Sequence, residues 1–115
     1  MARDDMHVII YKILRYLYEC NKHGKIPAFS GLYAALELPG IPDSYLASIL
    51  TELVSKGYVK GVDVVHAKGA WAFTLTESAG ITMDGVAYLS ENGRMKQAAQ
   101  FAGKAFELLL SGLMM

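Results

Sequence analysis

Four hydroxyl side chains recur along one stretch of the chain at helical spacing. The row consists of Ser44, Ser48, Thr51 and Ser55, at intervals of four, three and four residues. A helix places residues with this spacing on one face, and their hydroxyls can bond to phosphate oxygens or to base edges. Tyr45 is positioned to add a phosphate contact. The pattern therefore indicates a candidate surface for double-stranded DNA.

The same row has a simpler interpretation as the solvated side of an amphipathic helix. Asp43 and Glu52 lie on the same predicted helix, where their charges would repel phosphate, and the helix has no arginine to recognise guanine. Both interpretations stay open from the sequence.

A set of basic side chains follows this helix, and most of it lies on a predicted hairpin. The set is Lys56, Lys60, His66 and Lys68. Lys68 is expected at the hairpin tip, where a lysine can contact the phosphate backbone. Asp63 offsets part of the charge, so ordinary surface lysines are the alternative explanation.

Residues that could support catalysis or bind a metal are scattered. His7, His23 and His66 lie far apart in the sequence, and we expect no metal or catalytic site from them. The single cysteine, Cys20, continues an apolar row of the first helix and is predicted to be a small buried side chain. No nucleophile, phosphate-loop or paired-acid motif occurs. We therefore expect no enzymatic activity, no metal and no cofactor.

The elements that position these residues begin with three helices. Hydrophobic periodicity predicts helices over residues 5–21, 30–38 and 42–56. Ser30 is expected to cap the second helix, Pro39-Gly40 to end it, and Pro42 to begin the third. The first helix carries a narrow polar stripe, composed of Lys12, Arg15, Glu19 and Lys22. The third is expected to bury Leu46, Ile49, Leu50, Leu53 and Val54.

The spacing of apolar residues changes from helical to alternating just after Gly57. Residues 58–65 are rich in β-branched side chains, and Trp71, Phe73 and Leu75 alternate with smaller residues. This pattern predicts two strands, over residues 58–65 and 70–76, joined by a turn at Ala67-Lys68-Gly69. Residues 77–80 are predicted to form a loop, and Ile81-Thr82 a brief return to the sheet.

Two further helices are predicted after the hairpin. Thr82 is expected to cap a helix over residues 83–91, with Val86 and Leu89 inward and with Gly85 allowing close approach of a neighbouring element. The final helix, over residues 94–110, is expected to pack on the first helix. Its inward row is Met95, Ala98, Ala99, Ala102, Phe106 and Leu109.

The final helix also carries more apolar area than one small domain needs. The chain has 115 residues, of which 53% are apolar, above the usual composition of soluble domains. We therefore predict a homodimer interface at this helix, formed by Phe101, Phe106, Leu109, Leu110 and Leu113.

Bulk properties limit the remaining possibilities. The length suits a single domain, with a core over residues 5–92 followed by the last helix. Lysine plus arginine and aspartate plus glutamate are 11 each, so the basic excess usual in nucleic-acid binders is missing. The acidic N-terminus through Asp4 and Asp5 precedes no signal-peptide core, and no apolar stretch is long enough to cross a membrane. We expect a cytoplasmic protein.

Two segments resemble a known superfamily and one family within it. Leu53-Val54-Ser55-Lys56-Gly57-Tyr58-Val59 resembles the junction between the third helix and the first wing strand of winged helix-turn-helix proteins. The run from Ile81 to Asn92, with Ile-Thr, Gly, Tyr-Leu and Glu-Asn in order, resembles the YjcQ-like family of small bacterial and phage proteins. Arg94-Met95-Lys96-Gln97-Ala98 fits its continuation. The resemblance covers about residues 42–100 and implies a fold more than a function.

The resulting prediction is an α+β, mainly α, winged helix-turn-helix with a β-hairpin wing and an extra C-terminal helix. The expected function is that of a DNA-associated regulator of the phage or prophage type, acting as a dimer. The alternative is a protein–protein interaction module that keeps the scaffold without binding DNA, and a variant that responds to a small molecule is a third possibility. A continuous positive surface through Lys56, Lys60 and Lys68 would favour DNA, whereas an apolar third-helix face would favour a protein partner.

Overall fold

A computed structural model describes residues 5–36 and 40–115 of the chain. The elements are α1 (Met6–Lys22), α2 (Phe29–Ala35), α3 (Asp43–Ser55), β1 (Val59–Ala67), β2 (Ala70–Ile81), α4 (Met83–Glu91) and α5 (Gly93–Leu113). The predicted α+β, mainly helical class, with a two-stranded hairpin and a C-terminal helix, is confirmed. The predicted helix end at Leu38-Pro39 and the acidic N-terminus through Asp4 lie outside the described residues.

The core is built around α1, which α5 covers as predicted. Ile13 and Leu14 of α1 and Phe106 of α5 are fully buried. The predicted polar stripe of α1 is wrong at Lys12, whose side chain is 2% exposed. Its Nζ lies 5.7 Å from the centre of the Phe106 ring, because α5 packs over this part of α1.

The start of α2 differs from the prediction. Ser30 is not the cap, since the helix begins at Phe29 and its N-cap is Ala28, with no side-chain capping bond. The Tyr16 hydroxyl accepts a hydrogen bond from the Ala28 amide (3.1 Å) and donates one to the Ala28 carbonyl (3.2 Å). This contact with α1 fixes the backbone before Ser30, so a hydroxyl cap is not needed.

The buried face of α3 consists of Leu46, Ala47, Ile49, Leu50 and Leu53, which confirms four of the five predicted positions. Val54 was predicted to be buried but is 39% exposed. It lies about 100° around the helix from Leu53, beyond the edge of the packed face.

The hairpin pairs β1 and β2 antiparallel over a longer range than predicted. Residues 77–80 are not a loop, because β2 continues to Ile81. The register passes from Lys60↔Gly80 to Val62↔Leu75, so Gly61 alone opposes four residues of β2. A Cβ at Gly61 would lie 2.6 Å from the Ala79 backbone, so only a glycine lets the two strands approach each other at this large bulge.

The turn of the hairpin contains two residues, fewer than predicted. Ala67 pairs with Ala70, and Lys68 and Gly69 have φ values of 53° and 76°. Two positive φ values in a two-residue loop define the turn type that matches the twist of a hairpin. Lys68 therefore lies at the tip, as predicted.

The junction into α4 follows the prediction closely. The Thr82 hydroxyl accepts a hydrogen bond from the Gly85 amide at 3.0 Å, which confirms the cap. A Cβ at Gly85 would overlap the carbonyl oxygen of Tyr58. The close approach predicted at Gly85 is therefore confirmed, and the neighbouring element is the chain between α3 and β1.

The last helix extends to Leu113 and is interrupted at Gly103, whose φ and ψ are 86° and 168°. Its buried row is Met95, Ala98, Ala102, Phe106 and Leu110. The predicted inward positions Ala99 and Leu109 are wrong, since both are exposed. The kink separates two helical segments, and Leu110, one turn after Phe106, occupies the buried position assigned to Leu109.

Candidate functional site

The hydroxyl row of α3 faces away from the core. Ser44, Ser48, Thr51 and Ser55 are all exposed, on the side of the helix opposite Leu46, Leu50 and Leu53. Within the described part of the chain, no hydrogen bond engages these four hydroxyls. They form one polar surface about three turns long, available to an external partner.

Other side chains on this helix modify that surface. Tyr45 is partly buried against the hydrophobic core, so its ring contributes less to the surface than the sequence suggested. Asp43 and Glu52 are exposed on α3, and Lys56 lies at its C-terminal end. The surface therefore carries charges of both signs.

The hairpin is anchored beside the helices at one end, and residues 65–70 at its other end are exposed. Gly57, with φ of 77°, ends α3, and the Tyr58 amide donates to the Leu53 carbonyl at 3.0 Å. Farther along, the Phe73 ring stacks on Phe29 of α2, with centroids 5.2 Å apart and an interplanar angle of 2°. These contacts fix the direction in which the hairpin projects.

The exposed end carries an aromatic pair and a basic residue. His66 and Trp71 are cross-strand partners, and their rings stack with centroids 4.2 Å apart. His66 and Lys68 are exposed. The hairpin tip thus offers Lys68 and a flat ring surface to a partner, and Trp71 is a functional candidate that the sequence analysis assigned only to packing.

Two of the three lysines whose continuous surface would favour DNA border different depressions. Lys56 borders a groove beside Ser48 on α3. Lys60 borders a separate depression of about 340 Å³ that also involves Lys25, Asn21 and Glu77. The basic residues are therefore distributed, with an acid near each of the first two.

The groove beside Lys56 is a feature that the sequence analysis missed. It encloses about 280 Å³ between α1, α3 and α4, with Met6, Ile10 and Leu53 among its apolar walls and with Tyr58 and Tyr88 on one side. The two tyrosine rings stack with centroids 4.6 Å apart and an interplanar angle of 19°. Burial raises the pKa of Tyr88, so its phenol remains protonated near neutral pH.

The sequence indicates the motifs that contain the two tyrosines of this groove but not that their rings meet. Tyr58 belongs to the glycine–aromatic junction after α3, and Tyr88 lies on α4 within the run from Ile81 to Asn92. Both residues were recognised as members of motifs, but their stacking depends on how closely α4 approaches Tyr58.

A charged cluster joins α1 to α5. Arg15 donates to both carboxylate oxygens of Glu107, at 2.9 and 3.1 Å, and to the Tyr11 hydroxyl at 2.6 Å. Glu19 lies 3.4 Å from the Arg15 guanidinium. This cluster attaches the second segment of α5 to α1 and therefore has a structural explanation.

The residues predicted for a dimer interface divide into two groups. Phe106 and Leu110 are 0% and 2% exposed, so their assignment to a contact between subunits is wrong: they pack within their own chain. Leu113 is partly buried against the same core. Phe101 and Leu109 remain exposed, and Leu108, not included in the prediction, is 70% exposed.

Cys20 is buried, as predicted, and burial raises the pKa of its thiol. Across residues 5–36 and 40–115, no three His, Cys, Asp or Glu side chains converge in a way that could hold a metal ion. No helix in these same ranges is long and apolar enough to cross a membrane.

The comparison of the chain with known protein families gives a match. The model of a family described as YjcQ protein matches residues 11–106, which extends from the second turn of α1 to the buried Phe106. No curated protein and no solved structure matches the chain.

Proposed function

The chain belongs to the YjcQ family, and from this premise and the geometry of α3 and the hairpin we propose that it is a non-enzymatic winged-helix protein that binds double-stranded DNA. In this proposal it acts as a transcriptional regulator of the phage or prophage type. The order helix, short helix, helix, hairpin, helix is the winged-helix layout that this assignment requires. Fold alone does not determine function, so the proposal depends on the exposed surface.

The observation that carries the proposal is the row of exposed hydroxyls on α3. In helix-turn-helix proteins the second helix of the motif enters the major groove, and α3 has that position after α2. Ser48 and Thr51 would face base edges or phosphates, where hydroxyls can donate or accept. The other side of α3 is buried, so the helix would dock through this row.

The hairpin supplies the second contact of the proposal. Lys68 at the tip would pair with a phosphate, and the stacked rings of His66 and Trp71 would lie against the duplex. Such a contact would be independent of base sequence and sensitive to salt, because phosphate neutralisation releases counterions.

The decisive experiment is a titration of the protein with duplex DNA at two salt concentrations. Trp71 is the single tryptophan, so its fluorescence reports directly on the hairpin tip. We expect binding at about 50 mM salt that weakens steeply by about 200 mM. If about 50 mM salt gives no binding and no change in Trp71 emission, the DNA proposal is wrong.

Variants separate the two proposed contacts. Lys68→Asn should weaken binding to every sequence and lower the salt slope by about one, whereas Lys68→Arg should keep both. Ser48→Ala should matter only for a specific sequence. Lys96→Asn removes an exposed lysine from the start of α5, away from Phe101 and Leu108, and serves as the control, which should leave binding unchanged.

A protein-binding function is the second candidate, and the charge balance favours it. The chain has no net charge, and Asp43, Glu52 and Asp63 are exposed near the proposed surface. Val54 and Val65 are 39% and 55% exposed, which suits a partly apolar partner. Under this alternative, the duplex titration gives no signal, and Val65→Glu abolishes capture of a protein partner that Lys68→Asn leaves intact.

We also propose that the protein is a homodimer through the exposed flank of α5. Phe101, Leu108 and Leu109 form this flank, at 44%, 70% and 36% exposure. Two-fold symmetry would then present two copies of α3 to adjacent half-sites on DNA.

A further inference from the structure

We propose that the groove between α1, α3 and α4 binds a guanine base, as a free nucleoside or as an unpaired base in a nucleic acid. The site does not depend on the proposed binding of duplex DNA, although it shares Ser48 and Lys56 with that surface.

The shape of the groove suits a flat, mostly apolar ligand. Its volume of about 280 Å³ lies just below the usual range of about 300–1,000 Å³ for small-molecule sites, which suits a ligand as small as one base. Ile10 and Leu53 provide apolar walls, and the stacked pair of Tyr58 and Tyr88 provides an aromatic one. Stacking on aromatic side chains is a general mode of base recognition.

The aromatic wall is fixed in place before any ligand binds. The Tyr58 carbonyl accepts a hydrogen bond from the Thr82 amide at 3.0 Å, and the Thr82 hydroxyl donates to the Gly57 carbonyl. Gly85 brings α4 against the same Tyr58 carbonyl. A wall held by these contacts needs little reorganisation, which favours binding.

The rim of the groove specifies which base would fit. Glu52 and Lys56 both border it and lie one turn apart at the end of α3. Both side chains are exposed and neither makes an ion pair within the described residues, so the rim has a carboxylate acceptor and an ammonium donor available to a ligand. A guanine edge offers the complement, because its N–H groups donate to a carboxylate and its O6 accepts from a lysine.

Adenine complements the rim less fully. Its amino group can donate one bond to Glu52 and a ring nitrogen can accept one from Lys56, but it has no ring N–H beside the amino group for a second bond to the carboxylate and no carbonyl oxygen for the ammonium. Hypoxanthine keeps the carbonyl and the ring N–H but lacks the exocyclic amino group. Guanosine and inosine therefore test the exocyclic amino group alone, and adenosine tests the carbonyl and the ring N–H together, with a similar stacking surface in each case.

The experiment is a calorimetric titration with guanosine, inosine and adenosine, combined with NMR of the tyrosine rings. We expect guanosine to bind at least about tenfold more tightly than adenosine, inosine to be intermediate, and the ring resonances of Tyr58 and Tyr88 to shift. Equal affinities, no binding at millimolar nucleoside, or unmoved tyrosine resonances would overturn the proposal.

Two rim variants test the hydrogen bonds, and both positions are exposed, so the fold should be kept. Glu52→Gln and Lys56→Met should each weaken guanosine binding about tenfold and weaken adenosine binding less, because adenine makes fewer bonds to the rim. Lys104→Met is the matched control. If guanosine binds both rim variants as tightly as the wild type, Glu52 and Lys56 do not contact the guanine edge and this part of the proposal is wrong.

Glu52→Gln also separates this site from the duplex surface. Removing a negative charge from α3 should strengthen duplex binding while weakening guanosine binding, so the two proposals can fail independently. A single-stranded oligonucleotide with one unpaired guanine, compared with free guanosine, identifies the source of the base. Tighter binding of the oligonucleotide assigns the site to nucleic acid, and equal binding assigns it to the nucleoside.

Discussion

At the scale of single residues, Gly85 is a place where one missing methyl group determines the packing. It lies in the first turn of α4, where alanine would normally be preferred by up to about 1 kcal/mol. A Cβ there would overlap the Tyr58 carbonyl oxygen and lie 2.7 Å from the Ile81 side chain. The backbone carbonyl cannot move aside without disrupting the bond that it accepts from Thr82.

Gly85→Ala should therefore destabilise the protein by about 2 kcal/mol, since overpacking against backbone exceeds the gain in helix propensity. Urea unfolding followed by circular dichroism measures the change. Gly112→Ala is the control, because it lies in α5 with nothing within 4 Å of the new methyl group, and it should be neutral or slightly stabilising. A stabilised Gly85→Ala would contradict the close approach of α4.

Lys68, in contrast, has a side chain at a position whose positive φ suits another residue type better. Its φ of 53° is costly for lysine and well tolerated by asparagine in a two-residue hairpin turn. Lys68→Asn should stabilise the fold by about 0.5–1 kcal/mol, measured as a rise in the urea midpoint. Lys68→Arg should not, and a destabilised asparagine variant would argue against this turn geometry.

Single residues also mark where prediction from the sequence failed. Lys12 and Arg15 are three positions apart on α1 and were both assigned to a polar stripe. Lys12 is buried beside Phe106, whereas Arg15 reaches Glu107. The difference arises from α5, about ninety residues away along the chain, so the local spacing of α1 contains no information about it.

At the scale of elements, helix periodicity and capping predicted α1, α3 and α4 to within a residue or two. Thr82 and Gly57 are local signals, and the structure uses both of them as expected. The continuation of β2 through residues 77–80 could not be predicted in this way. That segment is polar and rich in small residues, and it is held by pairing across Gly61 and by a hydrogen bond of 3.2 Å from the Thr76 hydroxyl to the Gly61 carbonyl.

The kink in α5 leads to a prediction about that element. The φ and ψ of Gly103 lie in a region essentially closed to residues with a Cβ. Gly103→Ala should destabilise the protein by about 1–3 kcal/mol, although nothing crowds the position within 4 Å. The variant would be destabilised because alanine must either adopt this strained backbone conformation or straighten the helix, and a straight helix would move Phe106 and Leu110 out of the core.

The sign of the stability change in Gly103→Ala distinguishes a kinked α5 from a straight one. In a straight helix the same change would stabilise by up to about 1 kcal/mol. Urea unfolding gives the sign, and hydrogen exchange at residues 104–110 indicates whether the second segment has been released. A stabilised variant with unchanged exchange would mean that α5 is continuous.

At the scale of the whole molecule, charge and apolar surface favour different partners. Equal numbers of acidic and basic residues leave no long-range attraction to DNA, so binding would depend on the local arrangement of α3 and the hairpin tip. The position of the candidate groove, between three elements separated in sequence, follows from the tertiary fold and could not be predicted from spacing. The hydroxyl row of α3 could be predicted from residue spacing, because it lies within one helix.

The uncovered flank of α5 gives the last prediction, which concerns assembly. A dimer that buries Leu108 and Phe101 should have twice the 12.6 kDa mass of the chain in sedimentation equilibrium. Leu108→Glu should return it to the mass of one chain, because an unpaired carboxylate is costly to bury in an apolar contact. Met83→Glu is the matched control, since Met83 is 90% exposed on α4, and it should leave the dimer intact. A wild-type protein with the mass of one chain at high concentration would instead mean that this flank faces water, and two half-sites on DNA would then need two independent monomers.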